Sequence, residues 1–195
     1  MSKNNFELRR NLDFKSNIFD FTATGEFNFL KYTHGSYNEN FTPYLALGFS
    51  VFHYAPFTEF EGERYYLRPL GTEGQSPTNE YALINGGLTY GGGFKWDINY
   101  DFSINVEFTF RRLFTDYLDD VSTTYANPIL LEQNRGDIAR ELADRSIEPK
   151  IGLTGRQRGD STRNDQYNFF SVSIMKYFGQ VECPKVSKKS AESWL

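Results

Sequence analysis

Residues 102–114 alternate apolar and polar side chains, and this period of two residues is the strongest constraint on the fold. One set of alternate positions is apolar apart from one arginine, and it comprises Phe102, Ile104, Val106, Phe108, Phe110, Arg112 and Phe114. The other set is mainly polar and comprises Ser103, Asn105, Glu107, Thr109, Arg111 and Leu113. At roughly 3.3 Å per residue, a strand of this length can cross the hydrocarbon core of a bilayer even when it is tilted. The stretch is therefore a candidate transmembrane β-strand.

The same alternation recurs in four other segments, which are residues 19–29, 41–54, 82–96 and 167–178. Together the five segments predict an all-β fold, an antiparallel up-and-down transmembrane β-barrel of the eight-strand type. We expect one barrel domain over residues 1–178 and a periplasmic C-terminal tail over residues 179–195.

Two long links separate these strands. The prolines and glycines of residues 55–80 predict that no continuous strand crosses that link. The other long link, residues 115–166, contains one segment of helical character at residues 134–146, where Ile138 and Leu142 are four residues apart.

Composition supports a membrane barrel over a helical membrane protein. Aromatic residues make up 17% of the chain, hydrophobic residues make up 39%, and no apolar run reaches the length of a spanning helix. A soluble ligand-binding barrel has similar statistics, but it would turn the apolar face inward. The aromatic residues at strand ends favour membrane interfaces instead. These residues are Tyr54, Trp96, Tyr117 and Tyr177.

Short and long links alternate, as in outer-membrane barrels, where short turns face the periplasm. Residues 31–40 and 97–101 are the short links. Five strands cannot close a single-chain barrel with both ends in the periplasm, because that needs an even number of strands. The first residues also lack the apolar core of a secretory signal. We therefore expect a truncated form that lacks three N-terminal strands; the alternative is a sixth strand from residues 6–14.

Four charged residues lie on the polar face of their strands by parity: Glu26, Lys95, Glu107 and Arg111. An eight-strand barrel encloses packed side chains and has no aqueous channel, so these charges are expected to pair in a lumen network. Arg112 and Lys176 fall on the apolar face near strand ends, where a charge costs little.

Nothing in the sequence predicts catalysis or a bound cofactor. His34 and His53 lie at opposite ends of the predicted strands without a nucleophile beside them, so we predict that the protein is not an enzyme. Asp116, Asp119 and Asp120 lack the spacing of a calcium loop, so we predict neither a metal nor a cofactor, and no small-molecule substrate.

The overall charge and the single cysteine give two further expectations. A net charge of −4 argues against nucleic acid as a partner. Cys183 cannot form an internal disulfide, so it is expected to be a free or intermolecular thiol.

The stretch TFRRLFTDYLDDVSTTY, residues 109–125, resembles the PorG-type outer-membrane barrel family of the type IX secretion system. Other pieces of the chain resemble the same family in the same order and cover nearly the whole chain, at residues 10–21, 26–29, 41–54, 65–74, 142–146, 156–167 and 182–185. The most specific part is a family-signature loop, which comprises Thr115, Asp116, Tyr117, Leu118, Asp119, Asp120, Val121, Ser122, Thr123, Thr124 and Tyr125.

The resemblance implies an eight-strand barrel in the cell outer membrane, preceded by a signal peptide and about three further strands. It also implies a structural role: tethering a periplasmic ring of a PorK-like lipoprotein and a PorN-like protein to the outer membrane, in a machine that exports proteins and in some bacteria supports gliding motility. The implied partners are outer-membrane lipid and those ring proteins, and the family brings no catalytic residues. The alternative is a small outer-membrane barrel for adhesion or transport that is unrelated to secretion.

Overall fold

The fold is a single antiparallel sheet that curls into a half-barrel, with a few short helices outside it. The computed structural model describes residues 5–147 and 149–178. The strands are β1 (Lys15–Asn28), β2 (Phe41–Phe60), β3 (Glu63–Tyr66), β4 (Ile84–Asp97), β5 (Phe102–Leu113) and β6 (Gln166–Lys176). The long strands lie side by side in the order β1, β2, β4, β5, β6, and β3 pairs with the end of β2. The prediction of an all-β antiparallel fold is confirmed.

Strand β2 is longer than predicted, because it continues through Pro56 to Phe60. Pro56 lies where the ladder between β2 and β3 ends, and its carbonyl accepts the Leu67 N–H at 2.9 Å. Proline has no backbone N–H to donate, so it is tolerated where a ladder ends and no such hydrogen bond is needed. No continuous strand crosses residues 55–80, as predicted, although β2 extends over the first six residues of that link.

The helical prediction for residues 134–146 was wrong in extent. The structure has two helices, α2 (Pro128–Arg135) and α3 (Asp137–Ala143), separated by Gly136, whose φ is 89°. The Asn127 side chain accepts the N–H groups of Ile129 and Leu130, and Pro128 takes the first helical position, so α2 begins with a strong N-terminal signal. The break at Gly136 follows from a backbone conformation that side-chain-bearing residues rarely adopt.

The N-terminal segment also differs from the alternative prediction of a sixth strand over residues 6–14. Residues Asn5–Arg10 form a short helix, and β1 begins at Lys15. None of the helices within residues 5–147 and 149–178 is both long and apolar enough to cross a membrane.

The two faces of the sheet differ sharply in burial. In β2, the side chains of Thr42, Tyr44, Ser50, Phe52 and Tyr54 are buried on the concave side. The alternate residues Leu45, Leu47, Phe49 and Val51 are exposed on the convex side. The concave side therefore carries most of the polar groups, and the convex side is apolar.

Three of the four aromatic residues predicted for membrane interfaces pack against other rings of the protein instead. Tyr54 is fully buried because it shares the concave face with Phe52. Its ring is nearly parallel to that of Tyr81, with 6.3 Å between ring centroids. Tyr81 in turn stacks on Tyr117 with 4.7 Å between ring centroids. Tyr177 stacks on His34 with 3.5 Å between ring centroids. Trp96 is exposed on the convex side. The prediction ignored the phase of the alternation, which turns Tyr54 inward.

Glycines allow close approach of strands on the concave side. A Cβ added to Gly48 would overlap the carbonyl oxygen of Ala23 and the Cα of Thr24, whereas one added to Gly25 would meet nothing nearer than 3.9 Å. We expect Gly48→Ala to lower the free energy of unfolding by about 1–3 kcal/mol, as overpacking does. Gly25→Ala is the matched control on the neighbouring strand, with an expected change below about 0.5 kcal/mol. Denaturant unfolding of both variants tests this, and equal stabilities would contradict it.

Candidate functional site

The convex side of the sheet presents a continuous apolar surface, here called the apolar face. Its exposed members include Phe19, Phe21, Phe27, Leu45, Leu47, Phe49, Val51, Ile84, Phe108, Phe170, Val172 and Ile174. Leu47 is 61% exposed and Phe49 is 66% exposed, although both lie in the middle of a central strand. Soluble monomers rarely expose an apolar patch that covers a whole sheet, so this surface is a candidate for contact with lipid or with another protein.

The concave side holds the four charged residues of the predicted lumen network. Glu26 of β1 contacts Lys95 of β4, and Arg111 of β5 contacts Asp20 of β1. Both ion pairs span the interior between strands that are not neighbours in the sheet. Most of the area of these four side chains is buried, which strengthens attraction between opposite charges relative to water.

Glu107 does not join either ion pair. Its carboxylate accepts the Tyr44 hydroxyl at 2.7 Å, and the same hydroxyl lies 3.1 Å from Asn105. The structure thus places the four residues in two ion pairs and one hydrogen-bonded group, and Lys95 links two of these because its Nζ atom lies 4.7 Å from the centroid of the Tyr44 ring. Sequence reasoning missed Asp20 and Tyr44, although the parity of β1 and β2 puts both on the concave face.

The two short turns meet at one end of the sheet through Asp97, which is 2% exposed. Its carboxylate accepts the Gly35 N–H at 3.0 Å and the Tyr32 hydroxyl, and it lies 2.8 Å from His34 Nδ1. His53 pairs with Ile84 near the opposite end of the sheet, so the two histidines stay apart. We call the end formed by residues 29–40 and 97–101 the turn end.

At the opposite end, residues 67–83, 114–147 and 149–165 fold together into a loop cap. Its centre is an ion pair between Glu73 and Arg158, with 3.2 Å between nitrogen and oxygen and side chains only 1% and 2% exposed. Glu73 also accepts the N–H groups of Ser122 and Thr123 and the Thr123 hydroxyl. Arg158 donates to the carbonyls of Asp120 and Ala143. This pair therefore ties three segments of the cap together.

A second ion pair joins the first long link to helix α2. Arg135 contacts Glu80 at 3.0 Å and donates to the carbonyls of Pro69 and Gln75. The apolar contacts of Leu131, Ala139 and Ala143 with Leu70 and Ala126 pack the same two segments. Neither of these two ion pairs was predicted, because Glu73, Glu80, Arg135 and Arg158 lie in links without a regular pattern.

The signature loop supplies much of the cap's framework. Asp120 is buried with φ of 65°, and its carboxylate accepts the Thr72 and Tyr81 hydroxyls at 2.5 and 2.7 Å. Asp119 accepts the Val121 N–H at 3.1 Å. Other contacts of the loop include the Leu118 N–H with Asp165, Thr115 with Tyr54, the stacking of Tyr117 on Tyr81, and the bridge between Thr124 and Gln157. Ser122 and Tyr125 are buried.

The acidic residues of this loop show no metal-site geometry. Within the described residues, no group of three or more His, Cys, Asp or Glu side chains is arranged to hold a metal ion. The Asp120 carboxylate already accepts two hydroxyl groups and lies 3.8 Å from an Arg158 nitrogen.

Burial raises the pKa of several cap carboxyl groups. It raises the pKa of Asp119 to about 6, against the lowering effect of the Val121 N–H and of Arg158. Burial likewise raises the pKa of Asp120 and of Asp165 to about 6. The folded cap therefore holds these protons more tightly than the unfolded chain does.

This pKa shift predicts a pH dependence with a definite sign. A carboxyl group whose pKa is raised on folding stabilises the fold below its ordinary pKa of 3.8, and this stabilisation is lost as the pH rises through about 6. The stability of the cap should therefore decline between pH 4 and pH 6. We expect Asp119→Asn to make this decline smaller by up to about 3 kcal/mol, because the asparagine does not titrate. Hydrogen exchange of residues 115–125 across that range measures the decline. Asp160→Asn is the control, because Asp160 is exposed and its pKa is lowered by Thr162; an unchanged slope in Asp119→Asn would contradict the prediction.

Comparisons with known proteins give no further guide. No family model, no curated protein and no solved structure matches this chain. The function must therefore be inferred from the chain's own residues.

Proposed function

We propose that this protein is a non-enzymatic outer-membrane β-barrel that anchors the periplasmic ring of a type IX secretion system to the membrane. The observation that carries the membrane part is the apolar face, opposed across the sheet by the ion pairs Glu26–Lys95 and Asp20–Arg111. A transmembrane barrel needs this arrangement, with lipid outside and a polar interior. A soluble barrel needs the opposite one.

The proposed barrel is of the eight-strand type. Strands β1 and β6 each pair along one edge within the described residues, and a strand edge cannot remain unpaired in lipid. We propose that further strands close the sheet between these edges. The paired interior charges agree with a filled lumen without a channel, which favours an anchor over a conduit.

The secretion part of the proposal depends on the sequence resemblance and on the turn end. In the proposed orientation this end faces the periplasm, together with residues 179–195, which lie outside the described residues and include Cys183. Tyr37 projects from the turn end with 95% exposure. The hydrogen bonds to Asp97 fix the turn that carries it, so the surface offered to a ring protein is preorganised.

Co-purification tests this proposal. The full-length tagged protein, isolated from outer membranes after mild cross-linking, should carry PorK-like and PorN-like ring components. Tyr37→Ser should reduce their recovery severalfold, because exposed aromatic side chains are common interface anchors. Ile129→Ser changes another exposed apolar residue, on the loop cap at the opposite end of the sheet, and should have no effect. Recovery of the protein without ring components, together with normal secretion in a deletion strain, would reject the anchoring role.

A further inference from the structure

A polar cavity of about 980 Å³ lies beside the ends of β5 and β6 that approach the loop cap, and it extends to Tyr90 in the middle of β4. Tyr90, Arg112 and Gln166 line it from these strands. Arg156, Arg163 and Asn164 line it from the link that precedes β6. In the proposed orientation, this is the extracellular end of the barrel wall.

The cavity reaches the apolar face. Arg112 alternates along β5 with Arg111 and Leu113, which face the interior, so Arg112 points outward. Gln166 is the register partner of Arg112 in β6, and it is also exposed. A molecule lying in the outer leaflet could therefore enter the cavity from the side of the wall.

The lining chemistry combines cations with many hydrogen-bonding groups. Within the described residues, the Arg112 guanidinium makes no ion pair or hydrogen bond, although an arginine on a lipid-facing surface favours an anionic partner. Four carboxyl groups also line the cavity, those of Asp116, Asp119, Asp160 and Asp165. The Asp116 Oδ2 atom has no hydrogen-bond partner within the described residues, and Asp116 lines the cavity.

Carboxylates would repel a simple anion, but they accept hydrogen bonds from sugar hydroxyl groups. Arginine pairs with phosphate through two parallel hydrogen bonds. We propose that this cavity binds the phosphorylated sugar headgroup of an outer-leaflet glycolipid, with Arg112 on the phosphate and the aspartates on the sugar hydroxyls. The lipid source rests on the proposed membrane function, whereas the recognition of a phosphorylated glycan does not.

Binding can be measured with the full-length protein in three arms. The first arm uses nanodiscs of phosphatidylcholine that contain bacterial lipopolysaccharide, and the second replaces the lipopolysaccharide with phosphatidylglycerol. The third arm uses the delipidated phosphorylated oligosaccharide in solution. We expect retention of lipopolysaccharide above phosphatidylglycerol, and a loss of about tenfold in Arg112→Gln. Lys176→Gln is the matched control, because Lys176 is an exposed cation at the opposite end of the sheet.

Each outcome separates this site from the membrane function. Equal retention in wild type and Arg112→Gln, or equal binding of lipopolysaccharide and phosphatidylglycerol, overturns the site. Binding of the soluble oligosaccharide by a protein that fails to insert into membranes supports the site and rejects the membrane function. Insertion without glycolipid retention rejects the site and leaves the membrane function standing. Arg163→Gln, at an exposed lining position, provides a second variant and should weaken binding in the same direction.

Discussion

Replacing Arg158 with methionine should lower the free energy of unfolding of the loop cap by about 3–5 kcal/mol. The substitution keeps most of the apolar length of the side chain but removes its charge. Glu73 would then remain buried without its ionic partner, and the carbonyls of Asp120 and Ala143 would lose their donor. A buried unpaired charge is among the most destabilising changes that a single substitution can produce.

Hydrogen exchange of residues 115–125 and limited proteolysis of the cap give the measurement, since the strands should be little affected. Arg163→Met is the matched control, because Arg163 lies in the same link but its side chain is 87% exposed. The double variant Arg158→Met with Glu73→Gln should recover part of the loss, because it removes the stranded charge. A change below about 1 kcal/mol in Arg158→Met would show that the pair does not hold the cap together.

The alternation of side chains was enough to predict the five long strands, but not the short β3, because one residue of slippage in a long strand would exchange the two faces of the sheet. Residues 102–114 appear as Phe102–Leu113, and residues 167–178 as Gln166–Lys176. The same rule placed Glu26, Lys95, Glu107 and Arg111 on the concave side, because it depends only on local geometry. The position of Tyr54 was predicted wrongly, because its aromatic character was given more weight than its place in the alternation.

The loop cap could not be predicted in this way. Glu73 and Arg158 are 85 residues apart, and neither belongs to a periodic segment. Their pairing depends on how two long links fold over the end of the sheet, which no local pattern encodes. The signature loop was recognised as distinctive, but its part in the framework became apparent only with Glu73, which accepts the N–H groups of Ser122 and Thr123. The sequence around Arg158 likewise gives no sign that this arginine is buried.

The apolar face allows a direct test of whether lipid covers it. Leu47→Arg places a charge at the middle of β2, opposite Gly25 and Tyr90 in the neighbouring strands. In a membrane barrel this should cost about 2–4 kcal/mol, because the charge lies near the bilayer midplane. Phe41→Arg is the control, since Phe41 begins the same strand on the same face and its charge would reach the interface at a cost of about 0–1 kcal/mol.

Folding of the full-length protein into lipid vesicles, followed by the heat-dependent shift in electrophoretic mobility of folded barrels, measures both variants. A membrane protein should show a defect in Leu47→Arg and near-normal folding in Phe41→Arg, because the cost of a charge depends on its depth in lipid. If water covers the apolar face, an arginine at either position should change stability by less than about 0.5 kcal/mol, and Leu47→Arg should improve solubility. Equal behaviour of the two variants would therefore reject the membrane assignment, and the anchoring role would be rejected with it.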